Sequence, residues 1–248
     1  MKRLVGFSVL LTAMFSMGLQ ANEKTTPASE RLVPKLHQFV ARVSKQDPVA
    51  AARQLDLKNM AEIVARQLIS GKQVDLLFVC THNSRRSQMC QLWAQAAAHY
   101  YGVAGLKTHS GGTESTAFNH RAVAAMRRAG FSIKTKRVGE NPRYEVAFAT
   151  DAKPIEAFSK VYTDRPNPQK DFVAIMVCGD ADEKCPVVAG SSARMALHFV
   201  DPKVSDETSG ETKTYDERCS QIAKEMLFVM SHTKRLLKAS NEPPKPAK

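Results

Sequence analysis

The chain has 248 residues, is 43% hydrophobic and carries a formal net charge of +12 at pH 7. That is enough chain and apolar content for one good-sized domain with an appendage, and it excludes a sequence disordered throughout. The basic balance does not indicate nucleic acid, because Lys and Arg are spread along the sequence with no DNA- or RNA-binding signature. A field that draws in anionic ligands fits it better.

At the start, Met1-Lys2-Arg3 is basic, Leu4 to Leu19 is almost wholly apolar, and Gln20-Ala21 offers a small residue at a cut site. Residues 1–21 therefore read as a secretory signal cleaved after Ala21, with an uncleaved anchor as the alternative. The apolar run falls short of the ~20 residues that span a bilayer. The expectation is an exported, periplasmic protein that meets the membrane only through this segment. Residues 22–72 read as a helical extension packed on the catalytic domain, with partner binding as the alternative. Leu32, Val33, Leu36, Phe39, Val40 and Val43 recur at helical spacing, and Asp47-Pro48 supplies an N-cap and first-turn proline for a second helix. Met60, Ile63, Val64 and Leu68 stripe that helix, which ends at Gly71.

Residues 73–238 alternate strand and helix. The apolar run Val74–Val79 predicts a buried strand followed by a helix from Ser87, and Leu106–Ser110 a strand followed by a helix over Asn119–Ala129, stopped by Gly130. Two short extended runs between Tyr144 and Tyr162 flank Thr150-Asp151-Ala152-Lys153 as an inserted hairpin. Asp171–Cys178 and Ala196–Val200 are further strands, Tyr215–Leu237 is the last helix, and residues 239–248 form a Pro- and Lys-rich tail read as flexible. The fold class is α/β, a parallel sheet wrapped by helices, with the site at the carboxyl ends of the strands.

The segment with chemistry is Cys80-Thr81-His82-Asn83-Ser84-Arg85-Arg86-Ser87, at a strand-to-helix turn. Loop amides and a helix N-terminus converge there, which suits a tetrahedral anion and also stabilises a thiolate at Cys80. Arg86 offers a planar fork for two oxygens of that anion. The reading is a cysteine nucleophile attacking phosphorus or arsenic. Four further cysteines stand at 90, 178, 185 and 219, and an odd total leaves at least one thiol unpaired in an exported protein. Cys90 and Cys219 read as small core residues, with a bridge between them as the alternative. Cys178 and Cys185 lack recognised zinc spacing with His198, and no metal or cofactor is expected.

The stretch from Val74 to Leu237 resembles the low-molecular-weight tyrosine phosphatases and the thioredoxin-coupled arsenate reductases of the same fold. The resemblance rests on the Cys80–Ser87 loop, on Asp201-Pro202, and on Cys178-Gly-Asp-Ala-Asp-Glu-Lys-Cys185-Pro186. It implies Cys80 as nucleophile, Arg86 as oxyanion clamp, Ser87 as the hydroxyl that steadies the thiolate, Asn83 as loop-shaping residue and Asp201 as proton donor. The substrate implied is a small oxyanion, arsenate or phosphate, or a phosphotyrosine.

The Cys178–Cys185 segment resembles the reductases in particular. It implies that Cys178 attacks Cys80, Cys185 attacks Cys178, and a thioredoxin-like donor reduces the resulting disulfide. Asp180–Glu183 between them is expected to be a mobile, solvated loop, and a permanent structural disulfide is the alternative. A phosphatase, and a phosphate-binding module without turnover, also stay open as readings of the whole domain. The sequence departs from the family at His82, where Gly is usual, with a narrowed loop or strained backbone expected. Arg85 replaces a common Cys, and Gln91 replaces an acid of a potassium site.

Overall fold

The computed structural model describes residues 31–242. The signal segment read at residues 1–21 and most of the tail lie outside them. Among the described residues no helix is long and apolar enough to cross a membrane.

Two helices come first, α1 (Pro34–Val43) and α2 (Ala51–Ile69). Pro34 stands in the first turn of α1, where its missing N–H costs nothing, and Leu36, Val40 and Val43 form the buried stripe. The second helix begins at Ala51, not at Asp47-Pro48. Lys224 Nζ holds the Asp47 carbonyl at 3.0 Å and Gln54 Nε2 the Val49 carbonyl at 2.8 Å, which keeps this stretch extended.

The main sheet is parallel in the order β2-β1-β6-β7, built from β1 (Val74–Cys80), β2 (Leu106–Gly112), β6 (Phe172–Met176) and β7 (Ser191–Ala196). Its central strand β1 is buried almost end to end, as a strand covered on both faces must be. Helices α3 (Arg86–Tyr101) and α4 (His120–Arg128) follow β1 and β2, and Asn119 caps α4 by accepting from Arg121 N at 2.9 Å. A second, antiparallel sheet holds β3 (Ser132–Arg137), β4 (Arg143–Ala147) and β5 (Ile155–Ala157). The expected hairpin is β4–β5, with Thr150–Lys153 in its connection. Its partner β3 has only Ile133 buried, so no apolar alternation marked it.

Three further expectations are corrected. Residues 196–200 are not a strand of their own: the strand is Ser191–Ala196, an edge whose polar residues hide it, and Leu197 and Phe199 are buried because the chain turns over the sheet end. Residues 180–183 are not a loop but lie in the short helix α5 (Gly179–Lys184). The last helix, α6, is longer than expected, Glu211–Ser240, and so enters the predicted tail.

The described part of the extension shares one core with the sheet. Leu36, Leu57, Met60 and Val64 are fully buried in the same cluster as Leu76–Val79, Trp93, Ile222 and Met226. Gly130 carries φ +106°, and a Cβ there would lie 2.4 Å from Leu36 N, so α1 starts directly against it. Val33 N donates to Phe148 O at 3.0 Å, and Thr150 N to Arg31 O at 2.8 Å.

Candidate active site

Strand β1 ends at Cys80 and α3 starts at Arg86, so five residues turn between them. The turn is close because β2 presents Gly112 beneath it; a Cβ there would lie 2.6 Å from Thr81 O and 2.8 Å from Asn83 N. Thr113 N donates to Cys80 O at 3.1 Å and Glu114 N to Thr81 O at 2.9 Å, tying the loop to the end of β2. The left-handed residue is Asn83, with φ 46°, and not His82. Asn tolerates this conformation because its short polar side chain satisfies itself locally. Here Asn83 Oδ1 accepts from Lys160 N at 3.0 Å and Gln88 Nε2 at 3.1 Å, while its Nδ2 donates to Ser87 Oγ at 2.8 Å. The strain expected at His82 therefore sits one residue on.

Ser87 Oγ lies 3.1 Å from Cys80 Sγ. Since that oxygen already accepts from Asn83, its own proton is free to point at the sulfur. Cys80 is 3% exposed at the floor of a depression lined by His82, Ser84, Arg85, Arg86 and Asp201. Arg86 donates from one terminal nitrogen to Asp201 Oδ2 at 2.8 Å and from the other to Phe199 O at 3.2 Å, while its buried Nε–H has no partner. A buried guanidinium N–H without an acceptor is costly unless an anion completes it.

Arg85 also lines the depression, with its Nε 3.9 Å from Asp201 Oδ1. Its Nε donates to Tyr215 Oη at 2.8 Å, and its terminal nitrogen lies 3.4 Å from Asp206 Oδ2. Tyr215 in turn donates to Asp206 Oδ1 at 2.7 Å. Burial first, and then that bond to Asp206, push the Tyr215 hydroxyl up to about 12, so it stays a donor. The pair Tyr215 and Asp206 fixes the turn Pro202–Ser205, which follows Asp201, to the loop's Arg85. His82 turns its ring outward to Glu114, at 3.1 Å, and its carbonyl accepts from Ser159 Oγ at 2.8 Å.

Cys178 stands two residues past β6. Continuing the register Val79↔Met176 brings it opposite Thr81, and its sulfur lies 3.6 Å from Thr81 Oγ1. Cys185 closes the far end of α5 and is half-buried, and all five thiols are free. The six residues of α5 stand between Cys178 and Cys185, a separation of roughly 10 Å along the axis. A disulfide needs Cα atoms within about 7 Å, so bonding the two requires α5 to unwind. Cys90 and Cys219 are not bonded either; Cys219 Sγ contacts Trp93 Nε1 at 3.3 Å and Met126 Sδ at 3.6 Å.

Sequence reasoning missed Tyr215, Asp206, Gln88, Ser159 and Lys160. None carries a local signal, since each meets the loop only through the tertiary fold, except Gln88 on the first turn of α3.

The family described as low molecular weight phosphotyrosine protein phosphatase matches residues 75–146. The arsenate reductase of Bacillus licheniformis is 30% identical over 144 residues, covering 58% of this chain and 84% of that protein. That of Bacillus subtilis is 29% identical over 143 residues, covering 58% and 84%. Among solved structures, an arsenate reductase from Archaeoglobus fulgidus aligns over 63% of this chain and 98% of its own, at 19% identity and a TM-score of 0.41. With a cysteine–arginine loop of the expected form and relatives matched over most of their length, the chain belongs to the family of low molecular weight phosphotyrosine phosphatases and arsenate reductases.

Proposed function

We propose that the protein reduces arsenate through Cys80, Cys178 and Cys185. Cys80 attacks arsenic(V), and Asp201 protonates the oxygen that leaves as water. Cys178 then attacks Cys80 Sγ, forming the Cys80–Cys178 disulfide, and the S–As electron pair stays on arsenic, which departs as arsenite. Cys185 attacks Cys178 Sγ and returns Cys80 as a thiolate. A thioredoxin-like dithiol protein reduces the Cys178–Cys185 bond that remains. The observation that carries the reading is the contact of Cys178 Sγ with Thr81 Oγ1 at 3.6 Å, a free thiol beside the residue that follows the nucleophile. Simple phosphate hydrolysis has no use for it. The signal-like start of the sequence extends the proposal to an exported, periplasmic enzyme, whose donor is then a dedicated reductant of that compartment.

A phosphatase is the second reading, favoured by the carboxylate of Asp201 at the mouth of the depression. One experiment separates the two. In a reductase, Cys178→Ser abolishes multiple-turnover arsenite formation with a dithiol-protein donor. Cys185→Ser stops after one turnover, while both variants still hydrolyse an aryl phosphate. Wild type that forms no thiol-dependent arsenite, with both variants fully active on the aryl phosphate, gives the site to phosphoester hydrolysis.

A further inference from the structure

We propose that Arg53, in the N-terminal extension and outside the segment matched by the family, is a positioning residue for the proton donor Asp201. Its guanidinium is engaged on three sides. Nε donates to Glu225 Oε2 at 2.9 Å, a terminal nitrogen donates to His198 O at 2.9 Å, and the plane lies over the Phe199 ring, 5.0 Å from its centroid. Asp56, on the same helix, adds a carboxylate at 3.7 Å. Glu225, only 3% exposed on α6, is fixed in turn by Gln221 Nε2 at 2.9 Å.

What Arg53 grips is the root of the acid loop. Phe199 is 4% exposed, its carbonyl accepts from Arg86 at 3.2 Å, and Asp201 follows two residues later. The backbone that carries the acid is thus fixed from below by α2 and α6 and from above by the oxyanion loop's own arginine. An arginine suits this place and a lysine does not, because only a planar fork serves a carboxylate and a carbonyl along its edges while stacking on a ring. The extension accordingly completes the catalytic geometry, beyond the core burial it also supplies. Proton transfer is steep in distance, and a carboxyl displaced by ~1 Å can lose on the order of a hundredfold in rate.

The proposal rests on Asp201 being the proton donor, and the test separates the two claims. Arg53→Met alone leaves Glu225 buried without its partner, so the double variant Arg53→Met, Glu225→Gln is compared with wild type on two aryl phosphates, one with a good and one with a poor leaving group. The expected result is a loss of about tenfold or more in kcat on the poor leaving group and little change on the good one, since only the first needs the proton. Arg53→Lys, which keeps the charge beside Glu225, shows the same selective loss if the double variant fails to fold. In the Asp201→Asn background the Arg53 substitutions cause no additional loss. Equal losses on both esters, no loss with the fold intact, or losses that add to that of Asp201→Asn overturn the proposal. If Asp201→Asn by itself is fully active on the poor leaving group, the proton-donor reading fails, and the proposal with it. That outcome is recognised in the single variant without reference to Arg53.

Discussion

Arg86 and Asp201 meet at 2.8 Å, so the guanidinium proposed to clamp an oxyanion is held by the carboxylate proposed to supply its proton. An arriving anion competes with Asp201 for the same fork. In the proposed mechanism, binding the anion at Arg86 releases the carboxyl group toward the departing oxygen. Asp201→Asn is expected to lower turnover of an ester with a poor leaving group by ~10²–10⁴-fold, the usual contribution of a general acid. Inorganic phosphate should bind no more weakly, because Asn competes less well for Arg86 than a carboxylate does. Titration of the variant with phosphate checks this, and clearly weakened binding would show that Asp201 builds the site and does not compete for it.

Asp182 carries a latch on α5. Its carboxylate pairs with Arg194 and lies 3.0 Å from His198 Nε2, while Arg194 also donates to Asp182 O at 2.8 Å and Cys185 O at 3.0 Å. Since Cys178 and Cys185 bond only after α5 unwinds, Arg194→Met should speed formation of that disulfide under mild oxidation. Amide exchange over 179–185 should rise on the order of tenfold, with little change elsewhere. Unchanged exchange in this segment would remove the latch.

The five thiols should differ sharply in reactivity. Burial pushes Cys219 up to about 12, and burial followed by the Glu225 carboxylate pushes Cys90 well up too. Native alkylation at pH 8, mapped by mass spectrometry, should label Cys80 and Cys185 while sparing Cys90 and Cys219, and phosphate or arsenate should protect Cys80. Early labelling of Cys90 or Cys219 would contradict the packing described.

Lys160 is 4% exposed, and desolvation lowers its amine to about 8 against 10.5 in the unfolded chain. Below pH 8 both states hold the proton and the burial cost is fully present. Between pH 8 and 10.5 the unfolded state binds more protons, so this group makes stability rise with pH. Lys160→Met should therefore be more stable than wild type at pH 7, by on the order of 1–3 kcal/mol, with the difference shrinking across that window. Denaturant unfolding at pH 7 and pH 10 gives the answer; a constant or negative difference would mean that the amine's contact with Phe158, 4.8 Å from the ring centroid, outweighs its desolvation.

Gly130→Ala probes the seat of α1. With φ +106° and Leu36 N only 2.4 Å from the added Cβ, the substitution should cost roughly 1–3 kcal/mol in thermal or denaturant unfolding. A neutral result would mean that the backbone of α1 can move away.

The strand–loop–helix unit from Val74 through α3 is written in the residues themselves, because strand pattern, loop residues and helix start are contiguous and each is set by near neighbours. For the same reason the helices with apolar stripes and the β4–β5 hairpin were legible. What lies across the sheet ends depends on long-range packing. The folded chain brings Asp201 to Arg86 over 115 positions, Lys160 to Asn83 over 77 and Arg53 to Glu225 over 172. It also assigns the left-handed backbone not to His82 but to Asn83, where the side-chain oxygen accepts from the distant Lys160 N while the amide nitrogen donates to Ser87, four residues on. The solvated-looking Asp180–Glu183 became helical because Arg194, a strand away, binds its carboxylate and closing carbonyl, an interaction no local propensity encodes.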